Sequence, residues 1–218
     1  AAEGPGLVFD LLVFDNDGTL VDSEFLCQVA MARELGARGY AADPEELSRS
    51  FRGWELARSL EALGARYDAV FDDAFVEAYR ARMMDLLATE LRPMPGAVEA
   101  LDALAAGPWA RCVASGGPRP KIELALEVTG LRRHFGDALF SSYDIDRFKP
   151  EPDLFLHAAA TLGVPRARCL VIEDSAVGLE AARRARMSVV HVAPDAVDGD
   201  GVFALRRLDA LPALLASL

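Results

Sequence analysis

Residues 9–24 read FDLLVFDNDGTLVDSE, and the fold turns on how this stretch is understood. The apolar run Leu11–Phe14 breaks directly into two carboxylates, Asp15 and Asp17, followed by Gly18-Thr19. A buried strand that ends in a polar turn has this order of residue types. Two carboxylates so placed, with no Lys or Arg between them, repel each other, and a divalent cation is the common way to offset that repulsion. An isolated Asp-x-Asp is also an ordinary turn or helix cap. The rest of the chain has to decide between these readings.

Outward from this turn, two regimes are legible. From Asp22 to Leu91 apolar residues recur at three and four positions, as in Phe25, Val29, Ala32 and Leu35, with helix-start signals at Ser23-Glu24 and Asp43-Pro44. No convincing strand falls in this segment, which predicts an all-helical insertion over residues 22–91. Pro93-Met94-Pro95-Gly96 punctuates its end. Beyond it, short apolar runs at 110–114, 138–141, 169–172 and 188–192 alternate with amphipathic helices. With the first strand this predicts an α/β, Rossmann-like core of five parallel strands, formed by residues 7–21 and 92–218. In such sheets ligands bind beyond the carboxyl ends of the strands.

Those ends carry chemistry. The first delivers Asp15 and Asp17. The second delivers Ser115-Gly116-Gly117-Pro118, a hydroxyl and two glycines before a helix start, which outlines a phosphate cradle although it also suits a plain tight turn. After the third comes Lys149, stiffened by Pro150 and Pro152. The fourth delivers Glu173-Asp174, a pair that alone would pass as helix capping. Four strand ends presenting Asp-x-Asp, Ser, Lys and Glu-Asp at one sheet edge form a constellation. Hard carboxylate oxygens suit Mg²⁺. Asp15 can attack phosphorus to form an aspartyl-phosphate, and Asp17 can protonate the leaving alcohol and later deprotonate water. His134, His157 and His191 fall in none of these loops, so zinc is not expected.

Composition narrows the partners. The 218 residues are 52% hydrophobic, enough for a substantial core, and the formal net charge of −11 argues against nucleic acid or an anionic membrane as partner. Of 23 basic residues only Lys121 and Lys149 are lysines. Cys27, Cys112 and Cys169 are widely spaced, as free thiols in a reducing cytoplasm would be. With no export signal or membrane span legible, a cytoplasmic location is the expectation. Oligomeric state leaves no trace.

These residues resemble the haloacid dehalogenase superfamily, in the subgroup with a helical cap inserted after the first motif. FDNDGTLVDSE resembles its first motif, VASGGPRPKI its second, KPEPDLF its third and VIEDSAVGLEAA its fourth. The resemblance implies that Asp15 is the nucleophile, Asp17 the general acid/base, and Ser115, Gly116 and Lys149 the phosphate contacts. It further implies Mg²⁺ held by Asp15, the Asp17 backbone carbonyl and Asp174, with Glu173 supporting. The 22–91 insertion would be the cap that closes over substrate, with Arg52 and Trp54 as candidate specificity residues.

Within the family, dehalogenases lack the second Asp, and phosphonatases need a cap lysine that this chain does not have. Cys27 and Leu56 stand where β-phosphoglucomutase-like members carry a histidine and an arginine. The implied activity is a phosphomonoesterase acting on a sugar, sugar-acid or polyol phosphate, with closest likeness to 6-phosphogluconate-phosphatase-type members. A phosphosugar mutase and a catalytically silent metabolite-binding protein are the alternatives. Two residues depart from the family pattern: Gly116 stands where Asn is usual, and Arg186 where Gly is common.

Overall fold

A computed structural model describes residues 8–51, 54–199 and 201–218. The chain divides into two compact units, one of residues 1–21 and 93–218, the other of residues 22–92. In the first unit β1 (Leu11–Phe14) is followed, after the excursion, by α5 (Ala97–Leu104), β2 (Ala110–Ser115), α6 (Arg119–Val128), β3 (Leu139–Ser141) and the short α7 (Ser142–Ile145). Then come α8 (Asp153–Thr161), β4 (Cys169–Glu173), α9 (Ala176–Ala185), β5 (Ser188–Val192), β6 (Val202–Leu205) and α10 (Leu211–Ser217). The second unit holds α1 (Glu24–Ala37), α2 (Pro44–Phe51), α3 (Leu56–Tyr67) and α4 (Asp73–Glu90).

All strands pair in parallel, in the order β3-β2-β1-β4-β5-β6. The α/β class is as the sequence predicts, but the sheet has six strands where five are expected. β6 is the extra one: it has four residues, lies at the sheet edge and is only half-buried, so it lacks the apolar run that marks an interior strand. By contrast β1 and β4 are buried throughout, which requires helices on both faces. On one face Leu11 and Val13 pack with Cys112, Ala114, Val171, Leu154, Phe155, Ala158 and Ala182.

β1 is the centre of this order. Strands β2 and β3 follow on one side of it and β4, β5 and β6 on the other, so the topological switch lies at β1, where doubly wound sheets open a crevice. The chain after β1 turns tightly: the N–H groups of Leu20 and Val21 both donate to Asn16 O, and Gly18 N donates to Val21 O at 2.9 Å. Val21 then bridges Pro93, so the exit and return of the chain are clamped side by side.

The helical unit is held by buried Leu35, Leu47, Leu63, Phe75 and Leu87. Its one deeply buried carboxylate, among the described residues, is Glu34, which is satisfied by Arg38 and by Arg82 at 3.3 Å. Asp72 caps α4 by accepting from Phe75 N at 2.9 Å. No described helix is long and apolar enough to cross a membrane.

Arg186, the departure noted above, closes α9 in the left-handed region with φ of 55°. A side chain there crowds the carbonyl, at about 1–2 kcal/mol, which is why Gly is favoured after helix ends. Since Arg186 is exposed, Arg186→Gly is expected to stabilise the protein by about 0.5–1 kcal/mol after the larger unfolded-state entropy of Gly is subtracted. Urea denaturation checks this; an unchanged or lower midpoint would sink it.

Candidate active site

Asp15 follows β1 directly, and its N–H donates to Ile172 O at 2.9 Å, so the turn begins while still anchored to β4. Its side chain is 8% exposed, and its Oδ1 lies 2.6 Å from Lys149 Nζ. That ammonium lies 2.7 Å from Glu173 Oε2 as well, which makes Lys149 a bridge between the ends of β1 and β4. Glu173 is itself fully engaged, because its Oε1 accepts from Asp174 N, Ser175 N and Ser175 Oγ at 3.2, 3.0 and 2.7 Å. The carboxylate therefore fixes Lys149 on one side and the start of α9 on the other.

Asp174 is tied back to the first turn, where Thr19 Oγ1 donates to its Oδ1 at 2.9 Å. Gly18 is needed at this approach, for its φ is +84° and a Cβ there would stand 2.4 Å from Asp174 Oδ2. Oxygens of Asp15, Glu173 and Asp174 lie within 4.8 Å of one another.

On the far side of the first turn, Ser115 ends β2 fully buried. Its hydroxyl donates to Asp17 Oδ2 at 3.3 Å and accepts from Gly117 N at 3.0 Å. Ser141, at the end of β3, donates to Gly117 O at 2.7 Å and so props the Ser-Gly-Gly turn. Gly116 is exposed, and a Cβ there would meet nothing within 4 Å, so the missing Asn leaves space and not a packing defect.

Every core residue expected from the sequence thus gathers at one sheet edge: Asp15, Asp17, Ser115, Gly116, Lys149, Glu173 and Asp174. Trp54 belongs to the helical unit, where the Arg58 guanidinium stacks 3.9 Å over its ring. Arg52 lies outside the described residues. Lys121 is the residue that sequence reasoning missed: its ammonium lies 2.7 Å from Asp17 Oδ1. Both lysines of the chain therefore touch site carboxylates, and their scarcity was the available signal.

The electrostatics are those of a buried acidic site. Burial, then the Glu173 carboxylate, pushes the Asp15 carboxyl well above its ordinary range, with Lys149 opposing and Asp174 and Asp17 adding to the rise. Burial pulls Lys149 down, but Asp15 and Glu173 outweigh it and hold the ammonium protonated above the usual lysine range. Four carboxylates against two ammonium groups leave two negative charges when all are ionised. An all-oxygen donor set with that excess fits a hard divalent cation. Burial pushes up the Cys112 thiol and, to about 11, the Cys169 thiol, which disfavours the thiolate form of both.

The sequence pattern of haloacid dehalogenase-like hydrolases matches residues 9–186. The chain is 34% identical over 187 residues to 6-phosphogluconate phosphatase of Escherichia coli K12, covering 85% of this chain and 83% of that protein. It is 34% identical over 220 residues to hexitol phosphatase B of Escherichia coli O157:H7, covering 94% and 93% of the two chains. A HAD family hydrolase of Deinococcus radiodurans R1, solved with bound phosphate and sodium, superposes with a TM-score of 0.74 at 29% identity over 97% of this chain and 96% of that one. With four ordered motifs, a strand-end acidic site and relatives matched over most of their length, the chain belongs to the haloacid dehalogenase-like hydrolase family.

Proposed function

We propose that the protein is a Mg²⁺-dependent phosphomonoesterase that hydrolyses a small sugar, sugar-acid or polyol phosphate through an aspartyl-phosphate. The observation that carries this reading is the Lys149 bridge: one buried ammonium within 2.7 Å of both Asp15 and Glu173, which aims Asp15 and supplies a fixed positive charge beside it. The names of the relatives, phosphatases of 6-phosphogluconate and of hexitols, support the substrate class.

Asp15 and Asp174 would hold the cation with the Asp17 backbone carbonyl, and Glu173 would support it through the Lys149 and Ser175 contacts. When bound, Mg²⁺ supplies charge stabilisation to the phosphoryl oxygens and relieves the acidic excess. The remaining chemistry belongs to the chain's own groups. An Asp15 oxygen attacks phosphorus, the P–O ester bond breaks with its electron pair on the leaving oxygen, and the Asp17 carboxyl gives that oxygen a proton. The Asp17 carboxylate then takes a proton from water as the water attacks phosphorus and the Asp15–phosphorus bond breaks, releasing inorganic phosphate. The Ser115 hydroxyl, the Gly116 N–H and Lys149 hold the equatorial oxygens. Selection of substrate is assigned to the helical segment, with Trp54 and Arg52 as its candidate side chains.

Phosphate release from a panel of hexitol phosphates, ketose and aldose phosphates and 6-phosphogluconate tests the reading. Turnover of at least one class is expected, falling by about 10²-fold or more when EDTA replaces Mg²⁺. Release at the background rate across the panel, with and without Mg²⁺, would overturn it.

A further inference from the structure

Tyr143 is the one exposed Phe, Tyr or Trp among the described residues of the first unit, at 38%. A single apolar side chain at a surface is ordinary, but this one is held. Its N–H donates to Ser141 Oγ at 3.1 Å, and its ring meets that of Phe148 edge to face, with centroids 5.1 Å apart and planes at 89°. The next residue, Asp144, is gripped by Arg119 through Nε at 3.2 Å and Nη2 at 2.6 Å, and the same Nη2 donates to Leu139 O at 3.0 Å. On the other side in the chain Ser142 is fully buried, and its carbonyl accepts from Arg147 N at 3.2 Å. An aromatic fixed in this way has already lost the freedom whose loss binding would otherwise cost. The stretch is also anchored to the site at both ends. Ser141 pairs with Ser115 across β3 and β2, and its hydroxyl donates to Gly117 O at 2.7 Å. Phe148 directly precedes Lys149, whose ammonium lies 2.6 Å from Asp15 Oδ1. Tyr143 and Phe148 therefore lie beyond the carboxyl ends of the strands, in the stretch that joins the Ser-Gly-Gly turn to Lys149.

We propose that the Tyr143–Phe148 pair is a substrate-binding platform that takes the carbon skeleton of the leaving group, so that the first unit itself favours sugar and polyol phosphates over phosphates with a small leaving group. This rests on the phosphatase reading. With the phosphoryl group held by Ser115, the Gly116 N–H and Lys149, the ester oxygen carries the rest of the substrate away from the strand ends, and the 142–148 stretch borders that exit on the β3 side. The C–H bonds of a sugar or polyol, polarised by the neighbouring oxygens, are attracted to an electron-rich ring, and covering both removes apolar surface from water. Tyrosine suits the place, since a ring with an apolar body and a polar tip tolerates water when no substrate is bound. The contact is made equally in the ground state and the transition state, so its loss is read in KM and not in kcat. The pair takes no part in the bond changes.

Two substrates separate the platform from the chemistry: the carbohydrate phosphate that wild type turns over best, and acetyl phosphate, whose leaving group is only acetate. Tyr143→Ala is expected to raise KM for the carbohydrate phosphate by about tenfold with kcat within about threefold, and to lower the ratio of kcat/KM between the two substrates by about fivefold or more. Tyr143→Phe, which keeps the ring, is expected to hold that ratio within about twofold of wild type. Tyr143→Leu, apolar but without a π face, is expected to lower it by at least about threefold and replaces the Ala variant should that one not fold. Phe148→Leu removes the ring's support and is expected to lower the ratio by about threefold. Equal losses on both substrates, a fall in kcat alone, or a Tyr143→Ala ratio within about twofold of wild type would overturn the inference. A wild type that hydrolyses acetyl phosphate but no carbohydrate phosphate would overturn it as well, leaving the phosphatase chemistry standing. A wild type inactive on both substrates would instead overturn the phosphatase reading, and the inference with it.

Discussion

Asp15→Asn is expected to lower Mg²⁺-supported phosphate release by about 10⁴-fold or more, because an amide cannot take the nucleophile's place while the rest of the site stays assembled. The substitution keeps shape and keeps an acceptor for Lys149 Nζ, which lies 2.6 Å from Oδ1. A second consequence separates lost chemistry from lost structure. The folded-state pKa of Asp15 is raised, chiefly by burial and then by Glu173. The folded protein therefore binds this proton more tightly than the unfolded chain does. Stability from this group is present at acidic pH and is lost as pH rises from the unfolded value of about 3.9 through the raised one. At neutral pH the Asp15 carboxyl is thus a cost in the metal-free protein, and Asp15→Asn removes it. The metal-free variant is expected to melt above metal-free wild type, and Mg²⁺ is expected to raise the melting temperature of wild type more than that of the variant. A variant keeping more than about a hundredth of the activity would place the nucleophile elsewhere.

Gly178→Ala is expected to destabilise the protein by about 3 kcal/mol, although helix propensity alone favours Ala over Gly by about 1 kcal/mol. The contact decides the sign. A Cβ at position 178 would stand 2.0 Å from Glu173 Cδ and Oε2 and 2.5 Å from its Cγ. Glu173 has no room to retreat, with its side chain 1% exposed and both oxygens held by Lys149, Asp174 and Ser175. Moving it strains the core by about 1–3 kcal/mol and breaks buried hydrogen bonds worth a similar amount. The midpoint in urea reads the stability, and activity is expected to fall at least about tenfold because Lys149 loses its second anchor. A Gly178→Ala protein within about 0.5 kcal/mol of wild type would show that Glu173 is not held as described.

The strand-end residues were legible from the sequence for a physical reason. A parallel sheet brings the carboxyl ends of its strands to one edge, so a residue placed after an apolar run is placed in space as well. Asp15, Ser115, Lys149 and Glu173-Asp174 are brought to one edge for that reason. β6 was not legible, since an edge strand of four half-buried residues carries little apolar signal. Lys121 was hidden by distance along the chain: it sits six residues beyond Ser115, and only the first turn of α6 folds its side chain back to Asp17. Arg186 was visible as a departure from pattern, but the φ of 55° that gives the departure a cost is a property of the folded backbone. Gly178 was the least legible, because nothing near it in the sequence says that the Glu173 carboxyl fills the space of a missing methyl.

In the proposed mechanism the phosphoryl group is transferred to Asp15. The direct measurement quenches the Mg²⁺-loaded protein in acid during turnover, reduces the acyl phosphate with borohydride, and maps the product by peptide mass spectrometry. Homoserine in place of Asp15 is expected in wild type, in larger yield in Asp17→Asn given an aryl phosphate, whose leaving group needs no proton while the intermediate stays slow to hydrolyse, and not at all in Asp15→Asn. Reduction at another carboxylate, or an unmodified Asp15 in protein trapped while turning over, would contradict it.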